Sequence, residues 1–209
     1  ISIEALIQKA PAAGQTRVQL IVITNKALQG SVDQAVSAIE ALDTIAGKVT
    51  RVTDGVTPKG MPYTEITVSV ADSAKGELRG GAKFTFRQYG LLKPRKMPNG
   101  STLAAVTPEG FPSWKVGEQV VAFMYKPASR TGLQTTAGLA QGKLNVLDGR
   151  VQNEFHNRGL FDGVKIQDGL LSAKEREMLS SQGAVDAATF VGLVGRAVTG
   201  NWVATGEMR

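Results

Sequence analysis

The chain has 209 residues, 42% of them hydrophobic and only 6% aromatic, which suits one ordinary domain with extensions, or two small ones, around a core of Val, Ile, Leu and Ala. It holds no cysteine, which excludes disulfides, thiolate metal sites and thiol nucleophiles. The net charge is +6, and the 24 Lys and Arg are spread along the chain without a run of five or six; the simplest reading of the excess is solubility, and it also allows a polyanionic partner.

Residues 1–10 (ISIEALIQKA) place Ile1, Ile3, Leu6 and Ile7 near one helical face, which predicts a short helix stopped by Pro11 and Gly14. Residues 17–24 (RVQLIVIT) read as a strand whose β-branched centre suits burial on both faces. No hairpin partner is evident beside it, so it is expected to be a lone strand. Ser31, with Gln34 three residues on, is a capping-box signal for a helix with an apolar stripe of Val32, Ala35, Val36, Ile39 and Leu42.

Five β-type runs follow. The first is 45–53 (IAGKVTRVT). After turn residues at Asp54-Gly55 and Pro58-Lys59-Gly60 comes 63–71 (YTEITVSVA), with Ile66, Val68 and Val70 on one side. The third is 82–88 (AKFTFRQ), with Phe84 and Phe86 inward. Residues 90–114 are irregular and contain Lys93-Pro94-Arg95-Lys96; a loop of this length within a domain is often functional. The fourth run is 119–125 (QVVAFMY), and the fifth is 133–147, bent at Gly138 or Gly142.

Beyond Gly149 the pattern changes. Residues 151–163 read as loop. Ser172-Ala173-Lys174-Glu175 is a capping box opening a short helix, and 187–198 is a second helix with Phe190, Leu193, Val194 and Ala197 on one face. These readings predict a mainly β protein with flanking helices: a five-stranded OB-like antiparallel barrel, an N-terminal strand extension and C-terminal helices. The expected divisions are 1–30, 31–148 and 149–209.

Gly47-Lys48-Val49, Lys75-Gly76, Gly80-Gly81, Gly117-Glu118 and the closing Gly138-Leu139-Ala140-Gln141-Gly142-Lys143 fall at strand starts and turns. With the leading helix they span about residues 31–147. This block resembles a family of exported bacterial domains of unknown function with an OB-like, netrin-like barrel and a closing G-L-x-Q-G-K motif. The resemblance implies a fold and an exported location, and no activity. The netrin-like and protease-inhibitor barrels to which it is distantly similar depend on cysteines that are missing here, so inhibition is not carried over.

Chemistry-bearing residues are few. His156 is the single histidine, in a polar stretch without a nucleophile elbow. Asp162 and Asp168 flank a Gly-rich loop but lack the spacing of a calcium loop. No phosphate-binding Gly-rich motif precedes a helix. Phe84 and Phe86 could stack bases beside Arg87 and Lys93–Lys96, but the core needs their shared face, which argues against specific nucleic-acid binding. No catalytic residue, cofactor or metal is expected, and no apolar run is long enough for a membrane span.

The expectation is a non-enzymatic, exported structural protein that assembles with itself, as an extracellular filament or surface subunit. The assembly strand would be Val18, Leu20, Ile21, Val22 and Ile23, added to a neighbour's sheet. A chain beginning at Ile1 is either a mature protein that has lost a leader or a fragment; the expectation is the first, placed outside the cell, in the periplasm or at the surface. The alternative is a monomeric binding module for a protein, glycan or other polyanion, with Lys93, Arg95 and Lys96 as contacts. A hydrolase using His156 ranks last.

Overall fold

The computed structural model describes residues 3–8, 20–24, 43–75 and 80–209. Two compact units are formed, residues 1–40 and 41–209. The expected helix over 31–42, the Pro11–Gly14 stretch, Val18 and Gly76 lie outside the described residues.

In the first unit, β1 (Ile3–Gln8) and β2 (Leu20–Thr24) pair antiparallel, with Leu6 opposite Val22 and Ile7 opposite Ile21. The helix expected over 1–10 is therefore a strand. Ile3, Ala5 and Ile7 recur every second residue, a period that competes with the helical stripe, and β-branched Ile favours the extended form. Nor is 20–24 a lone strand: eleven residues, among them Pro11 and Gly14, separate it in sequence from its partner.

The second unit is built on β3 (Asp43–Val56), β4 (Pro62–Lys75), β5 (Lys83–Tyr89), β8 (Gln119–Met124), β9 (Lys143–Leu147), β10 (Arg150–Gln152) and β11 (Val185–Asp186). These form one seven-stranded sheet in the order β11-β10-β9-β8-β3-β4-β5, antiparallel throughout. A separate ribbon pairs β6 (Arg95–Lys96) with β7 (Thr102–Leu103). Two helices follow, α1 (Ala173–Ser180) and α2 (Ala187–Thr199). The capping box at the start of α1 is present: Glu175 N–H donates to Ser172 Oγ, and Ser172 N–H donates to Glu175 Oε2. Asp186 caps α2 by accepting from the backbone and hydroxyl of Thr189.

The five-stranded OB-like barrel is not formed; the sheet is open. Between β5 and β8 the chain lays only an irregular segment, held by Gln134 N–H donating to Arg87 C=O at 2.8 Å and by an isolated bridge of Met124 with Thr136. This segment does not become the start of a long fifth strand because Gly138 and Leu139 turn left-handed, with φ 65° and 57°. Strand β9 therefore begins only at Lys143. The ladder then continues outward through β10 and β11, which belong to the segment expected to stand apart after Gly149.

The composition of β8 also argues against a barrel with one interior. Val120, Ala122 and Met124 are buried in one apolar cluster with Ile45, Val49, Ile66, Val68, Phe86 and Trp114. Val121, of the opposite parity, is buried in a second cluster with Leu144, Val151, Met178, Phe190, Leu193 and Trp202. A strand with apolar residues on both parities needs cover on both faces. Helix α2 supplies it on the second face, and Phe123 meets Phe190 there edge-on at 6.1 Å.

Candidate binding surfaces

The 90–114 segment leaves the end of β5 and is anchored before it projects. The Asp54 carboxylate accepts from the backbone N–H groups of Leu92 and Lys93 at 2.8 and 2.9 Å. Leu91 is buried and bridges Val106 through two backbone bonds. At the far end, buried Trp114 donates to Gln88 Oε1, and Gln88 Nε2 donates to Pro112 C=O. Between these anchors stands the β6–β7 ribbon, its turn closed by Gly100 N–H to Met97 C=O and by Ser101 on Asn99 Oδ1. Arg95 and Lys96 are exposed on it, and Lys93 is exposed at the anchored start of the segment.

Strand β5 alternates cleanly. Phe86 and Gln88 are buried, while Lys83, Thr85, Arg87 and Tyr89 are exposed. On that outer face Arg87 Nε donates to Glu65 Oε2 at 2.9 Å, and its guanidinium lies 4.4 Å from the centre of the Tyr63 ring. The Glu65 bond holds Arg87 above its ordinary pKa. Tyr89 pairs across from Tyr63, and Thr67 and Thr85 share a hydrogen bond at 3.0 Å. The turn after β8 carries exposed Lys126 and Arg130 and returns to β5 at Gln134.

Sequence reasoning singled out Lys93, Arg95 and Lys96 but not their neighbours on β5 and the 125–134 turn. The missed signal is the local balance. Residues 81–135 hold eight Lys or Arg against two Glu, an excess equal to the net charge of the whole chain. Run length hides this because the residues come from separate elements. The N-terminal assembly residues Leu20, Ile21, Val22 and Ile23 all fall in β2.

Four further ionisable groups, Lys143 with Glu118 and Arg196 with Glu175, form ion pairs that hold the fold. Lys143, of the closing motif, is 5% exposed; its ammonium donates to Glu118 Oε2 at 2.7 Å and lies 5.0 Å from the centre of the Trp114 ring. Burial lowers its pKa, and the Glu118 bond opposes that shift. Glu175 is buried at the start of α1 and is held down to about 2, first by the Arg196 guanidinium at 2.8 Å and then by its bonds from Ser172. His156 is exposed on a left-handed turn residue. That turn is built by Asn153 and Asn157, whose side chains bond each other's backbone and reach Val151 C=O and Gly183 C=O. An apolar groove of about 460 Å³ lies between α2 and the sheet; among the described residues Lys48 is its one ionisable lining residue. Among the described residues no group of three or more acidic or histidine side chains is placed to hold a metal ion, and no helix is long and apolar enough to cross a membrane.

The chain is 47% identical over 51 residues to a homoserine dehydrogenase of Methylobacillus glycogenes, a stretch equal to 24% of this chain and 12% of that protein. The match thus spans about an eighth of the length of that curated relative. No family model matches the chain, and no solved structure matches it.

Proposed function

We propose that this is a non-enzymatic, exported structural subunit that joins copies of itself through its N-terminal strands. The observation that carries this reading is the two-stranded sheet of β1 and β2. Eight of its eleven residues are apolar, and they occupy both parities of each strand. An isolated ribbon is marginal in water, and this composition requires apolar cover. Among the described residues each strand of this sheet has one partner, and an unpaired edge can extend the sheet of another chain. The donor is thus a paired ribbon rather than a single strand. A head-to-tail contact that does not close yields a filament. The cysteine-free composition suits an oxidising compartment, where stray thiols are a liability.

Three of the described carboxylates, Glu65, Glu118 and Glu175, are engaged in ion pairs. A 51-residue likeness does not carry dehydrogenase activity here: all described strand pairs are antiparallel, whereas dinucleotide sites of the doubly wound type form at the carboxyl ends of parallel strands. The alternative, a monomeric binding module, is favoured by the exposed Lys93, Arg95 and Lys96 in their anchored segment.

Sedimentation and negative-stain electron microscopy of the full chain test the assembly reading, beside Val22→Asp and a chain lacking residues 1–30. Higher-order species in the native sequence, absent from both variants, are expected. Monodisperse native protein across the concentration range would exclude self-assembly and leave the binding module.

A further inference from the structure

We propose that Asn99, in the turn of the β6–β7 ribbon, is a self-modifying site: the backbone nitrogen of Gly100 converts its side-chain amide to a carboxylate, assisted by hydrogen bonds from Ser101. This does not depend on self-association.

Of the six asparagines of the chain, Asn99 alone precedes a glycine. The residue that follows decides how closely its own nitrogen can approach the side-chain carbonyl carbon, and glycine has no Cβ to hinder it. Asn99 and Gly100 are both exposed. Gly100 is left-handed, with φ 83° and nothing within 4 Å of where a Cβ would stand.

The turn also prepares the carbonyl. Asn99 Oδ1 accepts from Ser101 N–H at 3.1 Å and from Ser101 Oγ at 2.7 Å. These donors draw electron density from Cγ and sit where negative charge gathers on the oxygen as Cγ becomes tetrahedral. The other described asparagines lack this combination. Asn153 and Asn157 are buried and bonded to each other's backbone. Asn145 lies in β9 before β-branched Val146, and Asn201 precedes Trp202.

One bond opposes the reaction. Gly100 N–H donates to Met97 C=O at 3.0 Å and must be released before the nitrogen can attack. The ribbon is two residue pairs long, Arg95 with Leu103 and Lys96 with Thr102, so opening its turn breaks little structure.

Hydroxide takes the proton from Gly100 N–H, and the nitrogen forms a bond to Asn99 Cγ. The Cγ–Nδ2 bond then breaks, and the nitrogen takes a proton from water and leaves as ammonia. Water opens the resulting cyclic imide at either carbonyl. One opening gives aspartate; the other gives its isomer, whose main chain runs through the former side chain. The net change is one water consumed and one ammonia released, with no oxidant or reductant. The new carboxylate lowers the net charge of +6 by one, beside the cationic β6 arm. The isomer also lengthens the turn by a methylene, so the bonds of Gly100 and Ser101 across it are lost.

Peptide mapping by mass spectrometry tests the assignment, on full-length protein held in mildly alkaline buffer made with heavy-oxygen water. Asn99 is expected to convert ahead of Asn145, Asn153, Asn157 and Asn201, to a mixture of aspartate and its isomer, gaining one heavy oxygen per event. The rate should rise with pH. Gly100→Ala should slow conversion by about tenfold or more, because a methyl hinders the nitrogen. Ser101→Ala should slow it several-fold, and Ser101→Thr, which keeps a hydroxyl, should restore it. Near-ultraviolet circular dichroism checks that the variants are folded. The proposal is overturned if Asn99 stays intact in the folded protein while a free peptide of residues 97–103 converts. Conversion of Ser101→Ala at the native rate, or a buried asparagine reacting first, would overturn it as well.

Discussion

Glu175 performs two jobs with one carboxylate. It closes the capping box of α1 with Ser172 and ties α1 to α2 through Arg196. Its folded pKa, about 2, lies below the ordinary 4.5, so the unfolded chain binds the proton more readily. The resulting stabilisation is complete above about pH 4.5 and is lost as pH falls through about 2. Half of the Arg196 side chain is exposed, so solvent weakens the pair. Glu175→Gln should therefore lower stability by about 1–2 kcal/mol at pH 7. Urea denaturation at several pH values should show the two proteins converging as pH falls from 4.5 toward 2; a constant gap would assign the loss to packing. Lys143 and Glu118 form a different kind of pair, because the lysine is buried while Glu118 keeps some access to water. Removing the acid strands a buried ammonium, whereas replacing the lysine with an apolar side chain of like shape does not. Glu118→Ala should cost about 3 kcal/mol, and Lys143→Met less than half of that, in the same urea assay. Equal losses would mean that the pair acts through packing alone.

Among the elements, what was legible in the sequence depended on how local the cause was. Strands β3, β4 and β5 and both helices follow from alternation, stripes and caps within single segments, and they appear where those patterns lie. The β9–β10 hairpin has a local signal too. Asp148-Gly149 joins Leu147 to Arg150 with φ of 50° and 73°, the two-residue turn that suits twisted antiparallel strands. Barrel closure is different, because it depends on whether two distant strands find each other, and no local pattern encodes that. The unbroken apolar run of β8 was the available sign that both sheet faces are covered. The basic segment was half legible: Lys93, Arg95 and Lys96 lie close together in sequence, but the Asp54 carboxylate that anchors their start comes from β3. The closing motif takes its glycine from packing. A Cβ at Gly142 would overlap the Ala137 carbonyl oxygen, whereas at Gly149 it would meet nothing within 4 Å. Gly142→Ala should thus cost about 3 kcal/mol through overpacking, and Gly149→Ala only about 1 kcal/mol through left-handed strain. Thermal unfolding of the two variants checks the order, and a larger loss at Gly149 would show that the hairpin turn matters more to the fold than the motif does.

At the scale of the whole 41–209 unit, the architecture is one sheet with an apolar cluster on each face. The clusters share no side chain, yet they share β8, whose alternate residues point into each. Neither face can lose its cover without exposing a strand that the other face needs. The unit should therefore unfold as one cooperative body rather than as a sheet with a detachable helical layer. The two tryptophans report the faces separately. Trp114 packs against Phe86 at 5.2 Å in one cluster, and Trp202 lies in the other with the Arg196 guanidinium 5.7 Å from its ring centre. Trp202→Phe leaves a probe for the first face, and Trp114→Phe leaves one for the second. Each substitution removes some buried area and shifts stability by itself, so the comparison is made within each variant, between its tryptophan fluorescence and its far-ultraviolet circular dichroism. Coincident urea transitions by both probes in both variants are expected. If Trp202 fluorescence instead changed at lower urea than the circular dichroism of the strands, α1 and α2 would form a layer that opens independently. The antiparallel sheet would then be the smallest folded body of the 41–209 unit.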